Sequence, residues 1–148
     1  MKLSDNFYLH EFERSMTATR LGIDNSIPDD CIYKIRNLCH HVLQPLRNIY
    51  DKPIHIASGY RTPALNSYIG GATFSQHKLG EAADIDTTDD NDTLFRILTE
   101  DKIQFDQLIW EFGDVKPEWI HVSYRAEPRR EILRAYRHKD KTHYEPFK

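Results

Sequence analysis

The spacing of the apolar residues changes part-way along the chain, and this change limits the folds open to it. Between residues 28 and 50, apolar side chains recur every three to four positions, the period of a helix with one core-facing side. Pro45 is expected to kink this helix. After residue 53, short segments alternate apolar and polar residues instead, which is typical of strands.

Five segments are predicted to be strands: 54–57, 82–86, 106–112, 119–124 and 131–136. Their connections are too short for helical crossovers, except the one over residues 90–100, so the sheet is expected to be mainly antiparallel. Shorter helices are predicted within residues 4–22, with Ser4 and Asp5 as caps, and over 64–69. The pattern predicts a single α+β domain, with N-terminal helices packed on a small, mainly antiparallel sheet.

Composition excludes several classes of protein. The 148 residues, 39% of them hydrophobic, suit one domain with one core. There is no apolar run of the roughly 18 residues that a membrane span needs, and a net charge of -3 gives no general attraction to nucleic acid. No secretory signal is visible, so synthesis in the cytoplasm is expected. Cys31 and Cys39, eight positions apart on one helix, are expected to be free thiols.

The charge is unevenly distributed along the chain. Residues 1–127 carry a net charge of -7, whereas residues 128–148 hold seven Lys or Arg against three Asp or Glu, a net charge of +4. We expect residues 1–127 to form the main body of the domain and residues 128–148 to add a strand and a solvated basic tail. The tail is a candidate for attraction to an anionic polymer, and we expect its deletion after about residue 137 to spare the strand.

Polar residues able to do chemistry concentrate in three segments, 58–61, 75–84 and 118–121. His77 and Asp84 lie on either side of a turn at Gly80, and His121 lies in an alternating strand. Two imidazoles and one carboxylate are the minimal protein set for an open zinc site, which leaves the fourth position to water or substrate. The sequence therefore predicts that His77, Asp84 and His121 bind Zn2+.

A hydrolytic site also needs a group that accepts the proton of the attacking water. Glu118, three residues before His121, is predicted to be this general base. A period of two would place it on the wrong face, so it is expected at the strand entrance after Pro117. Arg61 is predicted to stabilise a carbonyl oxygen as it becomes an oxyanion, or to clamp a substrate carboxylate.

Other interpretations of these residues are weaker. A purely structural zinc site usually has four ligands, mostly cysteines, and only three good ligands are visible. Ser58 and Ser75 are possible nucleophiles, but neither lies in a G-x-S-x-G turn. The acidic run over 81–92 lacks the spacing of an EF-hand calcium loop. Tyr60 and Trp119 are candidates for substrate binding, although core packing is the commoner role of aromatic residues in alternating strands.

Three ordered blocks of the sequence resemble a known signature: Ser58-Gly59-Tyr60-Arg61, then Ser75-x-His77-x-x-Gly80-x-Ala82-x-Asp84, then Glu118-x-x-His121. They resemble the zinc D,D-carboxypeptidases and related peptidoglycan peptidases of the M15 class, whose fold is shared with the Hedgehog signalling domain. The opening residues, with Leu3-Ser4-x-Asn6-Phe7, are similar to the phage-type members. The resemblance covers residues 1–125.

The resemblance implies a role for each of these side chains. His77, Asp84 and His121 would bind zinc, Glu118 would be the general base and acid, and Arg61 would stabilise the transition state. Ser75 is implied to contact the substrate or the residues around the metal.

The resemblance also implies a substrate, the peptide stem of bacterial peptidoglycan. The expected activity is that of a D-Ala-D-Ala carboxypeptidase or a cell-wall endopeptidase, as in a phage lysis enzyme. The protein is expected to be a monomer that acts at the cell wall after release. The alternative is a non-catalytic, zinc-containing module that binds wall peptides.

Overall fold

The first third of the chain is mainly helical. The computed structural model describes all 148 residues. Its first elements are β1 (Lys2–Ser4), β2 (Phe7–Tyr8), α1 (Leu9–Glu13), α2 (Met16–Leu21), α3 (Asp29–Leu38) and α4 (Gln44–Tyr50). The predicted caps Ser4 and Asp5 are wrong, because Ser4 lies in β1 and its hydroxyl donates to the side chain of Gln44. The short helices themselves are confirmed, and Ser15 is the residue that caps α2.

The long helix predicted over residues 28–50 is present in three parts. A π-helical segment, Cys39–Leu43, joins α3 to α4. Pro45 cannot donate a backbone hydrogen bond, and the wider π turn changes the hydrogen-bonding register just before it. Cys31 and Cys39 are both buried and free, as expected.

The second part of the chain builds a sheet of six strands: β3 (His55–Ser58), β4 (Ala82–Asp86), β5 (Gln107–Glu111), β6 (Trp119–Ser123), β7 (Glu131–His138) and β8 (Lys141–Pro146). Their order across the sheet is β3-β4-β6-β5-β7-β8. All neighbours are antiparallel except β5 and β7, which are parallel. The predicted α+β domain with a mainly antiparallel sheet is therefore confirmed.

Two helices lie between strands of this sheet. The segment from β3 to β4 contains α5 (Pro63–Tyr68) and a 3₁₀ turn, Gln76–Leu79, and α6 (Asn91–Glu100) links β4 to β5. No helix in the structure combines the length and the apolar character that crossing a membrane would need.

The two faces of the sheet differ in character. On one face, Ala83, Ile85, Leu108, Ile120 and Val122 are fully buried in the core that the helices cover. Because side chains alternate along a strand, the intervening residues of β4, β5 and β6 lie on the opposite face, which borders an open cleft. The polar residues singled out in the sequence lie mainly on this second face.

The end of the chain is a β-hairpin rather than a solvated tail. The strand predicted over 131–136 is present as β7, but Lys141–Pro146 forms an additional strand, β8, paired along β7. Phe147 then packs on Phe95 and Trp110, with ring centroids 4.7 and 5.5 Å apart. A deletion after residue 137 would remove β8 and this aromatic contact, so it would not leave the sheet intact.

Candidate active site

Three side chains of metal-ligand type meet on the open face of the sheet. His77 comes from the 3₁₀ turn, Asp84 from β4, and His121 from β6, where it lies directly opposite Asp84. Each offers one ligand atom, and these atoms all lie within 4.8 Å of one another. The structure thus brings together the three residues that the sequence predicts as ligands.

The spacing of these ligand atoms fits a zinc ion. Oδ1 of Asp84 lies 3.3 Å from Nε2 of His77 and 3.2 Å from Nδ1 of His121. Two atoms that bind zinc at about 2.0–2.1 Å in a tetrahedron are themselves about 3.3 Å apart. The donor set therefore matches a tetrahedral site with three protein ligands and one open position.

The orientation of His77 is set by the loop that follows β3. Its Nδ1 lies 2.7 Å from the carbonyl oxygen of Gly59. Because a carbonyl can only accept, Nδ1 carries the hydrogen and Nε2 presents its lone pair to the site. Glycine is required at position 59, since a Cβ there would lie 2.6 Å from the Cα of Phe12. Packing of α1 against this loop thus fixes the carbonyl that orients His77.

Asp84 and His121 show the features of a ligand pair. Burial raises the pKa of Asp84, but the neighbouring imidazoles of His77 and His121 outweigh burial and hold that pKa well below its usual range. Asp84 is therefore a carboxylate that can act as a ligand. The other ring nitrogen of His121, Nε2, is buried with no hydrogen-bond partner in the protein.

Arg61 is held rigidly beside this group. Its guanidinium donates to Ser58 Oγ at 3.1 Å, to Asn66 Oδ1 at 3.3 Å and to Asp84 Oδ2 at 3.3 Å. Its backbone N–H donates to the carbonyl of His77 at 3.1 Å. The side chain is a fixed cation that borders the cleft next to the ligand carboxylate.

The ligand group opens into a cleft with a volume of about 940 Å³. Ser75 and Trp119, the predicted substrate-binding residues, both line it. The hydroxyl of Ser75 also accepts from the backbone N–H of His77 at 3.2 Å and so caps the 3₁₀ turn.

Tyr60 lies elsewhere. It is 6% exposed, belongs to the hydrophobic core and lines a separate, smaller cavity rather than the cleft. The alternation of β3 does not extend to it, because the strand ends at Ser58.

Glu118 lies at the entrance of β6, as the sequence predicts, but its side chain points to the rim. The side chain is 53% exposed, and Oε1 lies 3.8 Å from Nη1 of Arg137. It borders a polar pocket with Asp86 and Lys116 rather than the cleft that holds the ligand group.

A different carboxylate, Glu111, lies inside the cleft. It is the last residue of β5, is 7% exposed, and its side chain has no hydrogen bond or ion pair within the protein. Burial and then the charge of Asp84 raise the pKa of Glu111 to about 7 in the metal-free chain. The sequence did not single out this residue, although alternation from Ile109, which lies opposite His121, places it on the same face.

A second residue that the sequence did not single out, Asp106, anchors the loop after β6. It is fully buried and accepts from Arg129 at 3.0 Å and from the amide of Gln76 at 2.9 Å, with Arg125 3.1 Å away. Burial opposes ionisation, but these hydrogen bonds, with that of Arg129 the strongest, lower the pKa of Asp106 to about 2. This network joins the loop that carries His77 to the start of the C-terminal hairpin.

Comparison with known proteins agrees with this geometry. The family model described as Peptidase M15 matches residues 5–123, which include the three candidate ligand residues, Arg61 and both glutamates. The chain belongs to the peptidase M15 family. M15 membership makes the protein a metallopeptidase, and the His-Asp-His group is where it can hold a metal. No curated protein matches the chain.

Proposed function

We propose that this M15 peptidase is a zinc enzyme that hydrolyses an amide bond in the peptide stem of bacterial peptidoglycan. The observation that carries the proposal is the donor set of His77, Asp84 and His121, spaced for zinc and open to a cleft of about 940 Å³. A zinc ion held by these residues supplies Lewis acidity for the scissile carbonyl and lowers the pKa of a bound water.

Arg61 is proposed to bind the carbonyl oxygen as negative charge develops on it. Its contacts with Ser58, Asn66 and Asp84 hold the guanidinium in place before substrate arrives. A donor that is already in position stabilises developing charge without the free-energy cost of reorienting during the reaction. Trp119 and Ser75, on the walls of the cleft, are proposed to contact the peptide.

Two carboxylates compete for the role of general base. The spacing Glu118-x-x-His121 supports Glu118, whose side chain lies at the rim. Burial, position in the cleft and the absence of any partner support Glu111. We propose that Glu111 takes the proton of the attacking water and delivers it to the leaving amine, and we keep Glu118 as the sequence-based alternative.

The second candidate function is that of a wall-peptide-binding module without catalysis. An unpaired carboxylate and a fixed guanidinium beside the same donor set favour the enzyme, since a binder needs no proton acceptor. Whether the enzyme is a D-Ala-D-Ala carboxypeptidase or an endopeptidase, and whether it serves in phage lysis, depends on the bond that it cuts.

The test is digestion of purified peptidoglycan by the zinc-loaded protein, followed by mass spectrometry of the fragments. Loss of a terminal residue would identify a carboxypeptidase, and separation of cross-linked stems would identify an endopeptidase. Unchanged fragments, with protein retained on the wall, would favour the binding module and overturn the proposal.

A further inference from the structure

The C-terminal hairpin, β7 and β8, lies beyond the residues that the family model matches, yet it forms one wall of the cleft. Leu133, Arg137, Thr142 and Tyr144 of the hairpin line the same cleft as the ligand group. Because β7 pairs in register with β5, alternate residues of the hairpin continue the open face of the sheet. The hairpin is therefore part of the site.

Tyr144 lines the cleft from β8. In the sheet, Ala135 lies between Glu111 on one side and Tyr144 on the other. Burial of the phenol, and then the charges of Glu111 and Asp84, raise the pKa of Tyr144, so the phenol keeps its proton at neutral pH and can donate a hydrogen bond.

Arg137 is oriented but has no strong partner. Its guanidinium carbon lies 3.6 Å from the centre of the Phe112 ring, and Phe112 packs edge-on against Trp119. Stacking fixes the plane of the guanidinium and leaves its N–H groups free. The nearest anion is the exposed Glu118, 3.8 Å away, and no hydrogen bond within the protein engages the guanidinium of Arg137.

The other cations of the cleft already bind anions. Arg61 pairs with Asp84, and both Arg125 and Arg129 pair with the buried Asp106. Arg137 is thus the cleft arginine whose donors remain free for a ligand, and it follows Ala135 by two positions along β7.

We propose that Arg137 and Tyr144 form a subsite that binds a free carboxylate of the substrate peptide. The inference rests on the proposed function and adds to it the class of substrate, a peptide that carries a negative charge beyond the scissile bond. A guanidinium can hold a carboxylate with two parallel hydrogen bonds, and the phenol supplies a further donor on the same wall.

The test compares a soluble stem peptide that has free carboxylates with analogues in which each carboxylate in turn is a carboxamide. For the zinc-loaded wild type, one amidation is expected to raise KM about tenfold or more with kcat little changed. Arg137→Ala is expected to raise KM for the free acid by as much as that amidation does in the wild type. It is expected to leave KM unchanged for the peptide that carries this amide. Tyr144→Phe is expected to show the same selectivity with a smaller effect.

Lys141→Ala is the matched control. Lys141 is an exposed cation of the same hairpin that does not line the cleft, so its loss changes the net charge equally. Lys141→Ala is expected to leave KM unchanged for both the acid and the amide peptide. The subsite would be overturned if Arg137→Ala raised KM equally for the acid and the amide. It would also be overturned if Lys141→Ala raised KM for the acid as much as Arg137→Ala does.

Binding of the same peptides, measured by calorimetry on zinc-loaded protein, separates this inference from the proposed function. A preference for the acid that depends on Arg137, without hydrolysis by the wild type, would support the subsite and overturn the peptidase proposal. Hydrolysis of the peptides without any preference for the acid over the amide would overturn the subsite but leave the peptidase proposal in place.

Discussion

Asp84 and His121 are direct cross-strand partners in β4 and β6, and Oδ1 of the aspartate lies 3.2 Å from Nδ1 of the imidazole. The pairing of two adjacent strands therefore sets the distance between two of the three candidate ligand atoms. The register of the sheet thus sets this part of the candidate metal site, whereas His77 comes from a turn that Gly59 and Gly80 shape.

The two candidate bases are separated by paired substitutions. Glu111→Gln is expected to lower kcat by about 10²- to 10⁴-fold, the usual contribution of a general base, with zinc content unchanged. Glu118→Gln should reduce kcat less than about fivefold, because its side chain lies at the rim. Steady-state kinetics and metal analysis on both variants provide the measurement. A larger loss of kcat in Glu118→Gln than in Glu111→Gln would identify Glu118 as the general base.

Arg61 is expected to act mainly on the transition state. Arg61→Ala should lower kcat by about 10²-fold or more, with a smaller change in KM. Arg61→Lys should recover little of this, because an ammonium cannot reproduce the contacts with Ser58, Asn66 and Asp84. Arg20→Ala, at an exposed position, is the control. A kinetic effect confined to KM would show that Arg61 binds substrate only.

Gly80 is expected to be intolerant of any side chain. Its φ of +76° is unfavourable for other residues, and a Cβ would lie 2.8 Å from the carbonyl oxygen of Cys31. Gly22 has a similar φ of +69° but open space around it. Gly80→Ala should therefore lower the free energy of unfolding by about 1 kcal/mol or more beyond the loss in Gly22→Ala. Denaturant unfolding measures the free energy of unfolding of both variants. An equal decrease in the two would contradict the close packing around Gly80.

Ionised Asp106 is expected to stabilise the folded protein, and this stabilisation is expected to be lost in acid. Its pKa in the folded state, about 2, is below the value of about 3.9 expected in the unfolded chain. The stabilisation is therefore present above about pH 4 and is lost as pH falls towards 2, and its size is about 2 kcal/mol. Asp106→Asn should remove this pH dependence of unfolding, whereas Asp114→Asn, at a fully exposed site, should leave it unchanged.

The helical half and the five strands could be predicted from the sequence because each depends on local spacing, and the three predicted ligand residues do lie together in the structure. The alternation around His121 and the turn at Gly80 are visible without knowledge of the sheet order. Glu111 was not singled out because its place in the cleft depends on β5 lying next to β6, a long-range pairing that local patterns do not show. The strand β8 was missed because Lys141–Pro146 has little apolar character and is held by its pairing with β7.

The reaction of metal-free protein tests the central claim most directly. The rate of release of peptide fragments from peptidoglycan is measured after chelation and then during titration with zinc. We expect the rate to fall to background on chelation and to return with one equivalent of zinc, while Asp84→Ala stays inactive throughout. A metal-stripped wild type that digests the wall at its original rate would contradict the zinc peptidase.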